Sequence, residues 1–159
     1  MKIKKYSEYL EDKSSLNENQ FFDSRDQIES WLEEMDIKDY TINKDLSVDV
    51  KGNVYIPSKK LQAIPIKFNS VGGGFYCYNN PKLTTLEGSP NSVGGYFYCS
   101  NNPQLTSLEG SPNSVGGNFY CYDNPKLTSL NGLYIQFDLS KLYIDDNKIH
   151  LIWDWLESI

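Results

Sequence analysis

Residues 91–112 read Asn91-Ser92-Val93-Gly94-Gly95-Tyr96-Phe97-Tyr98-Cys99-Ser100-Asn101-Asn102-Pro103-Gln104-Leu105-Thr106-Ser107-Leu108-Glu109-Gly110-Ser111-Pro112. Nearly the same text stands one period earlier and one period later. Asn69-Ser70-Val71-Gly72-Gly73 leads into Phe75-Tyr76-Cys77, and Asn113-Ser114-Val115-Gly116-Gly117 leads into Phe119-Tyr120-Cys121. Cys77, Cys99 and Cys121 are 22 residues apart, and Leu83, Leu105 and Leu127 keep the same step, as do Leu86, Leu108 and Leu130. A fixed period of this size marks a stack of similar units, none of which can bury its own flat sides.

Two weaker copies flank these three. Val54-Tyr55-Ile56 leads to Leu61 and Ile64, and Leu142-Tyr143-Ile144 leads to Asn147 and Ile149. The array therefore covers residues 51–149 in about five units. Alternation along a strand puts Phe97 and Cys99 on one side and Tyr96, Tyr98 and Ser100 on the other. Val93, Leu105 and Leu108 complete the inward set. Asn80, Asn102, Asn124 and Asn147 recur just after each strand, where irregular backbone inside a stack needs partners for its N–H and C=O groups.

Each unit resembles the leucine-rich repeat family, whose pattern is L-x-x-L-x-L-x-x-N/C-x-L. The form here, V-G-G-x-F-Y-C-S-N-N-P-x-L-T-S-L-E-G, is similar to repeats of bacterial and tailed-phage proteins. It departs from the family pattern by an extra Pro81, Pro103 or Pro125 after the asparagine. The resemblance implies a solenoid with a parallel sheet on its concave face, a mostly irregular convex side and helical caps at both ends. It also implies that the recurrent asparagine is buried and bonds the turn backbones of neighbouring coils. Family members are binding scaffolds, so a phage origin would suit contact with a host factor or a structural place in the particle.

The ends read differently. Residues 1–22 are expected to be a flexible tail. Residues 23–50 are expected to form an N-terminal helical cap and short strands. There Ile28, Trp31, Leu32 and Met35 fall at helical spacing, Ser24 with Gln27 resembles a capping box, and Thr41-Ile42 and Leu46–Val50 alternate like strands. Residues 150–159, with Leu151, Ile152, Trp153, Trp155 and Leu156, are expected to be a C-terminal capping helix.

Composition narrows the chemistry. The 159 residues carry 15 basic against 21 acidic side chains, a net charge of −6, and one histidine, His150. Nucleic acid is a poor fit for that balance. No apolar run reaches the roughly 18 residues of a membrane span. No apolar segment follows the basic start, so a cytoplasmic site is expected, in the host if the protein is phage-encoded. The cysteines occupy one core position in neighbouring coils, which suits reduced thiols better than a disulfide. Asp123, Asp145 and Asp146 lack calcium-loop spacing. No nucleophile–base pair stands out, and neither an enzyme, a cofactor nor a metal site is expected.

The informative residues are aromatic. Tyr55, Tyr76, Tyr98, Tyr120 and Tyr143 hold the position before the inward cysteine or isoleucine, so they form one outward column spanning about 19 Å. The next column holds Pro57, Tyr78, Ser100, Tyr122 and Asp145; the preceding one holds Asn53, Gly74, Tyr96, Asn118 and Lys141. Tyrosine among Ser, Asn and Gly is the composition of antibody-like contact surfaces. Tyr55, Tyr76, Tyr78, Tyr96, Tyr98, Tyr120, Tyr122 and Tyr143 are therefore the candidate site. The expected function is non-catalytic binding of a protein partner by a monomer. A glycan on the same rings, or a structural role in a phage particle, is the alternative.

Overall fold

In the computed structural model, which describes residues 21–56, 58, 61–134 and 137–159, the repeated Phe-Tyr dipeptides lie side by side. In chain order the elements are helix α1 (Arg25–Glu34), strands β1 (Tyr40–Ile42), β2 (Val48–Val50), β3 (Val54–Tyr55), β4 (Phe68–Val71), β5 (Phe75–Tyr76), β6 (Ser92–Val93), β7 (Phe97–Tyr98), β8 (Ser114–Val115), β9 (Phe119–Tyr120) and β10 (Leu142–Tyr143), and helix α2 (His150–Ser158). They form a parallel-strand solenoid of about four turns. The tyrosine sheet runs β10-β9-β7-β5-β3, with Tyr55, Tyr76, Tyr98, Tyr120 and Tyr143 in register.

The sequence reading assigns one sheet and leaves the other side of the coil irregular. In the structure the strands expected at 41–50, β1 and β2, are continued into a second sheet, β1-β2-β4-β6-β8, by β4 and the Ser-Val dipeptides of β6 and β8. Two residues are too few for alternation to reveal a strand. What makes them one is the neighbouring coil: Gly94 N–H donates to Val71 O at 2.9 Å and Gly116 N–H to Val93 O at 2.8 Å. This serine-valine sheet then passes from β4 to β2 and closes on the antiparallel hairpin β1-β2. Close stacking explains the glycines: a Cβ on Gly94 or Gly116 would collide with the carbonyl oxygen of the glycine one coil earlier.

Between the sheets lies the core. Phe75, Phe97 and Phe119 are fully buried, and their rings follow one another at 5.7 and 4.8 Å. Leu83, Leu86, Leu105, Leu108, Leu127 and Leu130 are buried beside them, with Val71 and Val93 from the other sheet. A side chain of this size gives about 1.5–3 kcal/mol on full burial.

Asparagine pairs the backbone where the coil turns. Asn102 Nδ2 donates to Cys99 O at 2.8 Å in its own coil and to Cys77 O at 3.2 Å in the coil before, while its Oδ1 accepts from Asn80 N–H at 2.8 Å. Asn80 and Asn124 bridge carbonyls of adjacent coils in the same way. Asn147 does not join them. It is exposed, in a 3-10 turn at Asp146–Lys148, and Ile149 is exposed after it. The other three asparagines precede a proline, which disfavours helical backbone at the residue before it; Lys148 follows Asn147 and permits the turn. The Lys148 ammonium donates to Pro125 O and Leu127 O instead, at 3.2 and 2.7 Å.

At the start, Ser24 is the N-cap of α1 and its Oγ accepts from Gln27 N–H at 3.4 Å, while Gln27 Oε1 accepts from Asp23 N–H at 3.3 Å. Helix α1 buries Ile28, Trp31 and Leu32, and Trp31 meets Phe68 edge-on at 6.4 Å. The tail expected at 1–22 lies outside the described residues as far as 20; Phe22 is buried and its N–H donates to Pro65 O at 2.8 Å. At the other end α2 buries Leu151 and Trp155 and leaves Trp153 64% exposed. Among the described residues no helix is long and apolar enough to cross a membrane.

Candidate functional site

Strand parity settles which side chains leave the core. Phe97 and Cys99 are fully buried, so Tyr98 and Ser100 point to the outer face of the tyrosine sheet. The same parity operates in every coil of that sheet. All eight candidate tyrosines therefore stand on one face.

The central column is a run of ring contacts. Centroid separations are 4.6 Å for Tyr55–Tyr76, 4.8 Å for Tyr98–Tyr120 and 4.7 Å for Tyr120–Tyr143. The Tyr76–Tyr98 step opens to 6.4 Å. Tyr55 and Tyr143, at the two ends, are 50% and 46% exposed, while the middle three are half-buried by their neighbours. Two hydroxyls are held by amides of the preceding column: Asn53 Nδ2 donates to Tyr55 Oη at 3.1 Å, and Asn118 Nδ2 to Tyr120 Oη at 3.0 Å. Tyr96, in that column, is largely exposed and meets Tyr120 edge-on at 6.0 Å.

The following column is interrupted. It carries Tyr78, then Ser100, then Tyr122. Tyr98 leans across the interruption, edge-on to Tyr78 at 5.3 Å and to Tyr122 at 5.8 Å, with its hydroxyl against that of Tyr122. Ser100 is 1% exposed although it belongs to the outer face, and among the described residues its Oγ has no hydrogen-bond partner. Tyr55, Tyr76, Tyr78, Tyr98, Tyr122 and Ser100 line an open groove of about 540 Å³.

Asn79, Asn101 and Asp123 edge the groove. Each is in the left-handed region, at φ 58°, 55° and 55°, a conformation that Asn and Asp tolerate better than other side chains. Asn101 Nδ2 donates to Asn79 Oδ1, and Asp123 N–H donates to the Asp145 carboxylate at 3.0 and 3.1 Å.

Burial pushes the pKa of the Tyr76 hydroxyl above its ordinary value, with Tyr55 adding to it. Behind the sheet, burial pushes the Cys77 and Cys121 thiols up to about 12 and Cys99 well above the usual range. All three cysteines are free and buried. The face thus offers rings, amides and hydroxyls, with the Asp123 carboxyl group at its rim.

Every sequence-designated tyrosine belongs to this assembly. The three polar rim residues and the buried floor at Ser100 are additions from the structure. Their signal in the sequence is the one position in the Tyr78–Ser100–Tyr122 column where a central coil lacks its ring. A scan against protein-family models, a search of curated proteins and a search of solved structures each return no match for this chain.

Proposed function

We propose that this chain is a non-catalytic protein-interaction module of the leucine-rich repeat kind, and that the outer face of its tyrosine sheet receives the partner. One observation carries the reading. Eight tyrosines collect on that face, while the outward residues of the serine-valine sheet in the same coils are Ser70, Ser92 and Ser114. Tyrosine supplies rigid amphipathic contact area with little rotamer entropy to lose, which is why it is enriched at contact surfaces. In this reading α1 and α2 are caps that cover the two ends of the stack, as a solenoid requires. A glycan is the second reading, favoured by the amides and carboxylate that rim the rings.

The test uses the two most exposed members of the column. A partner captured from the native host and identified by mass spectrometry is titrated against the chain carrying Tyr55→Ser with Tyr143→Ser. Binding should weaken at least about tenfold, as for truncated aromatic hot spots. Lys82→Ser with Lys126→Ser, on the turns, should leave it unchanged. The reverse pattern would move the working surface to the turn edge. Capture of polysaccharide in place of protein would favour the second reading.

A further inference from the structure

The interruption at Ser100 has the dimensions of one ring. Tyr78 and Tyr122 follow β5 and β9, which lie two steps apart in the sheet, about 9.6 Å at ~4.8 Å per step. A flat ring midway would stand about 4.8 Å from each, close to the 4.6, 4.7 and 4.8 Å separations along the central column. Position 100 is also surrounded by coils whose own residue there is tyrosine. Between these two rings the column's own residue is a serine. Tyr98 leans into the space edge-on, 5.3 Å from Tyr78 and 5.8 Å from Tyr122, and stands 6.4 Å from Tyr76. At the floor the Ser100 hydroxyl is buried without a partner among the described residues, an arrangement that native structures seldom leave unused.

Resting on the protein-binding reading above, we propose that this gap is a subsite for a tyrosine side chain of the partner protein. The ring enters hydroxyl first between Tyr78 and Tyr122, and its phenol hydrogen-bonds Ser100 Oγ. Tyr98 moves back into line between Tyr76 and Tyr120. Asn79, Asn101 and Asp123 are placed at the rim to meet the peptide groups beside the ring. Phenylalanine would fill the same volume but leave the Ser100 hydroxyl unpaired. Phosphotyrosine would be refused, because among the described residues no lysine or arginine lines the groove and Asp123 does.

The experiment is an NMR titration of the full, isotope-labelled chain with N-acetyl-tyrosinamide, N-acetyl-phenylalaninamide, N-acetyl-phosphotyrosinamide and methyl β-glucopyranoside. The tyrosine probe should shift the amides of Tyr78, Ser100 and Tyr122 saturably, and bind about fivefold or more tighter than the phenylalanine probe. Ser100→Ala should bring the two probes level. Ser100→Tyr restores the residue of the neighbouring coils, so it keeps the fold, and it should abolish binding. Equal affinity of the two probes for the unchanged chain, binding retained by Ser100→Tyr, or tight binding of the phosphorylated probe would overturn the subsite. So would preferential saturation of these amides by the sugar. Tyr55 and Tyr143 are untouched by these variants. A silent tyrosine probe, with partner binding still sensitive to the Tyr55/Tyr143 pair, would therefore sink the subsite alone.

Discussion

Each central coil contributes one strand to each of two sheets, and the two make a controlled comparison. Across the central coils both are parallel and in register, and both turn apolar side chains inward: Val71 and Val93 from one, Phe75, Phe97 and Phe119 from the other. Outward they differ completely. The serine-valine sheet holds its ladder with Ser70, Ser92 and Ser114 facing out. The ladder itself therefore has no need of a stack of aromatic rings. Cross-strand ring pairs add stability of about 0.2–1 kcal/mol each, and the sister sheet does without it. The tyrosines are free to be a contact surface in a way the phenylalanines are not.

The sharpest way to break this comparison is through the core. Phe97→Ala should cost about 3–5 kcal/mol in chemical denaturation, because a fully buried ring leaves a cavity between Phe75 and Phe119. Val93→Ala, the inward residue of the same coil on the other sheet, should cost only about 2 kcal/mol. Equal losses would show that the two sheets share the core evenly.

The asparagines allow a second contrast. Asn102→Ala strips a partner from Asn80 N–H, Cys77 O and Cys99 O, all buried, and should cost about 3 kcal/mol by the same measurement. Asn91 stands beside the serine-valine sheet in an exposed amide contact with Asn69 at 3.4 Å. Asn91→Ala should change stability by less than about 0.5 kcal/mol. Comparable losses would mean that the turn after the tyrosine strand is no more dependent on its side chain than the turn before the other.

The inward face of the tyrosine sheet also carries the cysteines, with thiol pKa values raised by burial. An unfolded thiol titrates near about 8.5–9. Above that pH the unfolded chain releases protons that the folded chain retains, so the contribution to stability is intact below about 9 and is lost as pH rises toward 12. The slope per thiol reaches about 1.4 kcal/mol per pH unit. Denaturation curves between pH 8 and 11 should therefore fall less steeply for Cys77→Ala than for the unchanged chain. Parallel curves would show that the thiol is reached by water in the folded state.

The smallest effect concerns the outer face. Tyr55→Ser with Tyr143→Ser should lower stability by under about 1 kcal/mol, even as partner binding drops. A loss above about 3 kcal/mol would make the column a structural element and remove the contrast between the sheets.

The period of the repeat carried most of this architecture. Because Cys77, Cys99 and Cys121 share one position, register follows directly, and with it the tyrosine column and the buried phenylalanines. The start of α1 followed from Ser24 and Gln27. What escaped was cooperative between coils. A Ser-Val dipeptide becomes a strand only when its neighbours present carbonyls at the same height. Asn147 repeats the letter of Asn124 but lacks the following proline, so its backbone turns away from the stack. The lean of Tyr98 toward Ser100 depends on ring packing among Tyr78, Tyr98 and Tyr122, which spacing alone does not encode.

The identical step from coil to coil has a consequence for inheritance. Removing residues 91–112 would bring β5 against β9, and the Phase-matched Phe75 N–H would meet the carbonyl of Asn118 where it now meets that of Tyr96. Every ladder would close again across the join. A gene that encodes such an array can gain or lose a whole coil by recombination between its near-identical segments, with no new fold to find. The interruption at Ser100 belongs to a single coil, so one such event would delete or duplicate it. Binding properties in this architecture are thus open to change by the number and order of coils as well as by substitution within them.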